Sequence, residues 1–244
     1  MSGAPATAMI MAAGLGTRMR PLTESRPKPL VEVAGTTLLD HVLDHLRRAR
    51  VGRIVVNVHY LPEQIEAHLA RHASDFAVTL SDERDLLRDT GGGLVQALPL
   101  IAGDPFFCLN ADNWWTDAGE PALTRLARAW DADRMDALLL MVPLARAGNS
   151  LGQGDFDLDG AGRLSRAGPA RPRSHVWTGI QLLARSLVAA PPSAVFSTNV
   201  LWDRAIAAGR CFGLEHEGAW FDVGYPGAIG LTEAALAKAA LRRG

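Results

Sequence analysis

Four side chains stand where phosphate chemistry could be done. Met9-Ile10-Met11-Ala12-Ala13 is an apolar run that breaks into Gly14-Leu15-Gly16-Thr17-Arg18, and Lys28 follows between Pro27 and Pro29. Backbone N–H groups exposed by glycines bind anionic oxygens, and Arg and Lys supply fixed positive charge, so this loop suits a nucleoside triphosphate. The prolines present Lys28 on a stiff, extended segment. Asp112 ends a second apolar run, Phe106–Leu109 followed by Asn110-Ala111-Asp112. A carboxylate there could hold a hard divalent cation, and Asn110 could touch nucleoside or phosphate. Asp222, in Trp220-Phe221-Asp222-Val223-Gly224, is the other acid in an apolar setting. Each feature taken alone has a plainer reading: a tight glycine turn, a surface lysine, a turn-forming acid, the end of a core strand.

The elements that must position these residues are legible as an alternation. Strands are expected at Thr7–Ala12, Arg53–Val58, Ala77–Leu80, Phe106–Leu109 and Ala137–Val142, and helices at Thr37–Arg50, Leu61–Arg71, Gly92–Leu98 and Pro121–Trp130. Such alternation implies a largely parallel sheet with helices on both faces. Further along, Asp155–Asp159 reads as a hairpin-like excursion, Val176–Leu183 and Cys211–Glu215 as strands, and Thr198–Ala208 as a helix capped by Thr198. Pro226–Arg243 reads as an amphipathic helix with a basic end, and the Pro/Arg-rich segment Gly168–Arg173 as a mobile loop. Ligands of open α/β sheets bind beyond the carboxyl ends of strands, so the loops after Ala12, Leu80, Leu109, Val142, Leu183 and Glu215 are the ones to inspect.

Composition narrows the class. The chain has 244 residues, 48% of them hydrophobic, and a net charge of −1. That is ample for one globular domain and argues against a general nucleic-acid or membrane-surface binder. Cys108 and Cys211 lie far apart, Cys108 inside an apolar run, so a buried reduced thiol is expected there rather than a disulfide. The N-terminal apolar stretch lacks a basic leader and is interrupted early, and no run approaches roughly 18 apolar residues. The expected location is cytoplasmic, with no membrane or nucleic-acid partner and a monomer or small homo-oligomer. His41 and His45 share a helix face without an acidic third ligand, which reads as a solvated face. Asp131-Ala132-Asp133, an Asp-x-Asp, reads as a surface turn.

The pattern Ala12-Ala13-Gly14-x-Gly16-Thr17-Arg18-Met19-x-Pro21-Leu22-Thr23, then Arg26-Pro27-Lys28-Pro29-Leu30-Val31, resembles the signature of the sugar-1-phosphate nucleotidylyltransferases. The resemblance covers nearly the whole chain. It implies a Rossmann-like, GT-A-like α/β fold in a single domain, with residues 1–135 mainly nucleotide-binding and 136–244 mainly sugar-phosphate-binding. It implies catalytic roles for Arg18 and Lys28 and a Mg²⁺ ion held by Asp112 and Asp222. Nucleotide contacts would come from Ala12, Ala13, Gly14, Gly16, Thr17 and Asn110, with Gly91, Gly92 and Glu83 beside the base. Asn149, Gly154, Asp155, Trp177 and Gly179 correspond to the sugar-phosphate side, with Asn199 and Trp202 as outer candidates. Trp177 is equally suited to core packing, and Thr90 to capping the helix that carries the glycines. This chain has Ala111-Asp112 where the family usually has Gly-Asp, and Asp89 where relatives carry Glu.

The implied partners are a nucleoside triphosphate and a sugar 1-phosphate. Within the family, Asp89-Thr90-Gly91-Gly92-Gly93-Leu94, Asn110-Ala111-Asp112-Asn113-Trp114-Trp115-Thr116-Asp117 and Gln153-Gly154-Asp155-Phe156 most resemble the members that join UTP to N-acetylmuramate 1-phosphate in peptidoglycan recycling. A mannose-1-phosphate guanylyltransferase is the rival enzyme, and a nucleotide-sensing regulatory subunit the rival without catalysis.

Overall fold

A computed structural model describes residues 5–166 and 172–241. The first strand, β1 (Thr7–Met11), sends Ala8 and Ile10 to one side and Met9 to the other, the period of a strand buried on both faces. A hairpin of β2 (Glu32–Val33) and β3 (Thr36–Thr37) leads into α1 (Leu38–Arg48). The Thr37 hydroxyl accepts the Asp40 N–H at 3.0 Å and caps that helix. Next come β4 (Arg53–Val58), α2 (Pro62–His72), β5 (Ala77–Asp82) and α3 (Asp89–Ala97). Then follow β6 (Phe106–Asn110), β7 (Asn113–Trp115), α4 (Ala122–Ala129), β8 (Ala137–Pro143) and β9 (Ala147–Gly148). The strands β10 (Asp157–Leu158) and β11 (Leu164–Ser165) pair antiparallel, as the hairpin-like sequence led us to expect. The remainder is β12 (His175–Leu183), α5 (Arg185–Val188), α6 (Asn199–Ala207), β13 (Cys211–Glu215), β14 (Trp220–Asp222) and α7 (Pro226–Leu241).

Among the described residues, seven strands form the central sheet in the order β13-β8-β12-β6-β1-β4-β5. All run parallel except β12, which is antiparallel to both neighbours, so the expected mixed, mostly parallel α/β sheet is the one found. The inverted strand corrects one expectation. The loop after Leu183 leaves from the far end of the sheet, and the start of β12, around His175–Trp177, reaches the crevice instead. Leu39, Val42, Leu43 and Leu46 of α1 pack on one face of the sheet with α2 and α4, while α3, α5 and α6 cover the other. At about 1.5–3 kcal/mol for each fully buried Leu or Val, the α1 stripe alone supplies several kcal/mol.

Four further expectations are corrected. Thr198 does not cap α6 with its side chain; its N–H instead donates to the Thr90 hydroxyl at 2.9 Å, tying α6 to α3. Thr90 itself lies inside α3, and that helix has no side-chain cap. Only Ala228 and Thr232 of α7 are fully buried, and Leu231 and Leu241 are exposed, so that helix has no clean apolar face. His41 and His45 are not solvated: both are buried among tryptophans. Residues 168–171 of the Pro/Arg-rich loop, and the basic end of the last helix from residue 242, lie outside the described residues. No helix among the described residues is long and apolar enough to cross a membrane.

Candidate active site

The loop after β1 is fixed by a residue that sequence reading passed over. Ala12 N–H donates to Asn57 Oδ1 at 2.7 Å, and Asn57 Nδ2 donates to Glu83 Oε1 at 2.7 Å. One side chain thus ties together the carboxyl ends of β1, β4 and β5. The available signal was a lone amide near the carboxyl end of the otherwise apolar Ile54-Val55-Val56-Asn57-Val58 run. Glu83 is buried, and burial pushes its carboxyl above the usual range against the opposing Asn57 hydrogen bond. The native state then binds a proton more readily than the unfolded chain, so Glu83 favours folding below its unfolded pKa, and that contribution is lost as pH rises through the folded one. We expect the stability of the wild type relative to Glu83→Gln, measured by urea unfolding, to fall between pH 4 and pH 7; a difference constant with pH would refute this.

Beyond the strand ends lies a cleft of about 520 Å³. Ala12, Ala13, Gly14, Gly16, Thr17, Arg18, Lys28, Glu83, Asn110 and Asp112 all line it, joined by Asn57, Leu87 and Val195. Arg18 is exposed on its wall, whereas Lys28 is buried. The Lys28 ammonium donates to Asp112 Oδ2 at 2.8 Å across 84 residues of sequence. Asp222 does not line the cleft directly, but its neighbour Gly224 does. Its carboxyl is pushed above the usual range, first by burial and then by the nearby Asp112 charge, with Lys28 and Arg18 opposing. Two carboxylates crowded this way are a hard-oxygen donor set suited to a divalent cation. Cys108 and Cys211 are free and buried, and burial pushes both thiols up to about 12, which leaves them inert as nucleophiles.

The two acids meet through a small sheet absent from the sequence reading. β14 pairs antiparallel with β7 in the register Asp222↔Asn113, Phe221↔Trp114 and Trp220↔Trp115, and β9 pairs with the other edge of β14. This sheet stands on α1: His41 stacks on Trp114 and His45 on Trp115, each with centroids 3.9 Å apart. Trp115 N–H donates to His41 Nε2 at 3.2 Å. Gly179 closes the other side at φ 82°, where a Cβ would lie 2.0 Å from Asn113 Nδ2 and 3.2 Å from Asn110 Cβ. Gly179→Ala should cost about 2–3 kcal/mol through left-handed strain plus this collision, lowering Tm by about 5–10 °C. An unchanged melting curve would refute the close approach.

Other expected contacts are committed elsewhere. The N–H groups of Gly91 and Gly92 both donate to the Phe196 carbonyl, at 2.8 and 3.1 Å, so they are not donors for a base. Their lack of a side chain admits the 194–196 segment, since a Cβ on Gly91 would lie 2.5 Å from the Phe196 ring. The segment in turn brings Val195 to the cleft wall. Asn149 Nδ2 donates to Thr232 Oγ1 at 2.9 Å and to the Ala228 carbonyl, so its side chain anchors α7. Gly154 abuts the Arg173 backbone. Asp155 Oδ2 accepts the Trp177 N–H at 2.9 Å, and Asp155 lies close enough to Asp222 to push its carboxyl up further. The Trp177 indole N–H donates to the Ile180 carbonyl, and its ring meets Trp202 edge-on at 4.5 Å. Trp202 is core, its indole held by Gln181, while Asn199 accepts from Arg166.

A family profile described as nucleotidyl transferase matches residues 7–152. An N-acetylmuramate alpha-1-phosphate uridylyltransferase of Caulobacter vibrioides is 46% identical over 98% of this chain and 100% of its own. A mannose-1-phosphate guanyltransferase of Gibberella zeae is 44% identical, but over 43% of this chain and 29% of its own. Among solved structures, the inositol-1-phosphate CTP transferase from T. maritima shares the fold, with a TM-score of 0.76 at 16% identity over 96% of this chain and 97% of that one.

Proposed function

The chain belongs to the nucleotidyl transferase family, and on that premise we propose that it joins UTP to N-acetylmuramate 1-phosphate, releasing pyrophosphate and UDP-N-acetylmuramate. The observation that carries the substrates is the full-length likeness to a uridylyltransferase of that sugar phosphate, against partial likeness to guanyltransferases. Such a product would belong to peptidoglycan recycling. The first 135 residues would hold the nucleotide, and the rest the sugar phosphate and the second carboxylate.

In this reading a phosphate oxygen of the sugar 1-phosphate attacks the α-phosphorus of UTP, and the bond to the β-phosphate breaks. The nucleophile is already anionic near neutral pH, so no general base is needed. What opposes the reaction is the approach of two anions, and the chain's contribution is positioning and fixed positive charge. The glycine loop, with Ala12, Ala13 and Thr17, would cradle the triphosphate; Asn110 would hold nucleoside or phosphate. Arg18, exposed on the cleft wall, would meet the phosphates from one side and Lys28 from the floor. Asp112 and Asp222 would hold Mg²⁺, which when bound neutralises phosphate charge. Lys28 is the counter-ion of Asp112. From that position the Lys28 ammonium would turn to the transferring phosphate. The sugar would lie toward Asp155, Trp177 and Gly179.

The test is pyrophosphate release with Mg²⁺, crossing UTP, GTP, CTP and dTTP against the 1-phosphates of N-acetylmuramate, N-acetylglucosamine, mannose and glucose. Turnover confined to UTP with N-acetylmuramate 1-phosphate is expected. Turnover with GTP and mannose 1-phosphate would keep the reaction and overturn the substrates. Nucleotide binding without turnover of any pair would overturn catalysis in favour of nucleotide sensing.

A further inference from the structure

Away from the cleft, α1 and α2 bring three metal-ligating side chains together. Asp40 lies on the first turn of α1, and His68 and His72 lie four residues apart on one face of α2. Their ligand atoms all fall within 4.8 Å of one another, and none of the three lines the cleft. His68 Nε2 is 2.8 Å from Asp40 Oδ1, a hydrogen bond that accounts for those two residues by itself. It does not account for His72. That ring stacks parallel on His68, with centroids 4.2 Å apart and 3° between the planes, and turns its Nδ1 toward the same Asp40 oxygen at 3.6 Å. This distance is too long for a hydrogen bond. It is close to the roughly 3.3 Å between neighbouring ligands around a tetrahedral ion with bonds of about 2.0–2.1 Å.

We propose that Asp40, His68 and His72 form a binding site for a divalent cation of the zinc type, which clamps α1 to α2. Two imidazole nitrogens and one carboxylate oxygen suit a borderline cation rather than Mg²⁺. The second Asp40 oxygen is held by the Thr37 hydroxyl at 2.8 Å, which aims the first at the histidines. His72 is half-exposed, giving the ion an entry path and leaving a fourth position to water. To admit the ion the His68–Asp40 contact opens by roughly half an ångström, and the two rings splay from their parallel stack so that both nitrogen lone pairs converge on it. The site is structural: it braces the helix on which the sheet that carries Asp222 and adjoins Asp112 stands.

The experiment uses untagged, chelator-stripped full chain in excess Mg²⁺, titrated with Zn²⁺ and separately with Co²⁺. Thermal melting and the visible absorption of bound Co²⁺ are the readouts. The expected result is one bound ion per chain, a Tm raised by about 5 °C or more at 100-fold excess over Kd, and a nitrogen-ligated Co²⁺ spectrum. His72→Ala, a substitution at a half-exposed position, melts like the wild type without metal but loses about 100-fold in Zn²⁺ affinity. Asp112→Asn keeps both signals. The proposal is overturned if Zn²⁺ leaves Tm unchanged, if His72→Ala binds as well as the wild type, or if Asp112→Asn abolishes binding, which would place the ion in the cleft.

Discussion

Asp112→Asn lowers kcat/KM by about 10³-fold and raises the Mg²⁺ concentration needed for half-maximal rate at least tenfold. The size follows from the two partners that one carboxylate serves. It is one half of the proposed cation donor set, and it is the oxygen to which the buried Lys28 ammonium donates at 2.8 Å. Asparagine keeps the shape and one oxygen but not the charge. The cation is left with Asp222, and Lys28 with an uncharged partner. Single preorganised electrostatic groups are worth about 10²–10³ in rate, and a bound metal contributes several kcal/mol. Lys28→Met separates the two roles: it should lower kcat by about 10²-fold while lowering, not raising, the Mg²⁺ concentration needed for half-maximal rate, because a cation competing for Asp112 is gone. Because the two side chains touch, the double variant should lose less than the product of the single losses. Steady-state pyrophosphate release over a Mg²⁺ titration measures all of this. An Asp112→Asn enzyme with wild-type rate and Mg²⁺ dependence would remove Asp112 from the site and the metal assignment with it.

Acid destabilises the fold through His41, by about 3 kcal/mol between pH 7 and pH 4. The ring is buried beneath Trp114, with His45 beside it and the Arg48 guanidinium and Asp117 nearby. Burial first, then electrostatic repulsion from His45 and Arg48, pushes its pKa from 6.5 to about 3. The Trp115 N–H donates to Nε2, and only the neutral ring offers that lone pair. The sign follows from where the proton binds. The unfolded chain takes it up as pH falls through 6.5, and the native chain only near 3, so stability present at neutral pH is lost in between. Urea unfolding of wild type and His41→Gln over this range measures the contribution. Glutamine can still accept from Trp115 but cannot titrate. It should be the less stable protein at pH 7, with the gap closing by about 3 kcal/mol at pH 4. Parallel curves would show that His41 is protonated or solvated in the native state. The effect reaches function, because the strand that His41 holds is β7, which adjoins Asp112 and pairs with the strand of Asp222.

Local pattern determined much of this protein. The strands of the parallel sheet and α1, α2 and α4 follow from periodicity and punctuation, because a strand buried on both faces or a helix with one apolar stripe must repeat its hydrophobic residues at a fixed spacing. The glycine loop, Arg18, Lys28 and Asp112 were legible as a candidate site because they fall on loops beyond the carboxyl ends of those strands, and the structure brings them to one cleft. What the sequence could not carry is whatever depends on a partner distant in the chain. Asn57 reads as one more strand residue until the sheet brings it between Ala12 and Glu83. Gly91 and Gly92 read as backbone opened for a base, yet the Phe196 carbonyl occupies their N–H groups. Asn149 reads as a sugar contact, yet α7 claims its amide. Two histidines on a helix read as solvated, because nothing local announces the tryptophans of β7. Even Asp222, whose motif was visible, meets Asp112 only through the pairing of two three-residue strands, too short to show a period. Spacing along the chain fixes which residues share a face; which polar group on that face is already satisfied, and by what, is decided only when the tertiary structure brings its partner in.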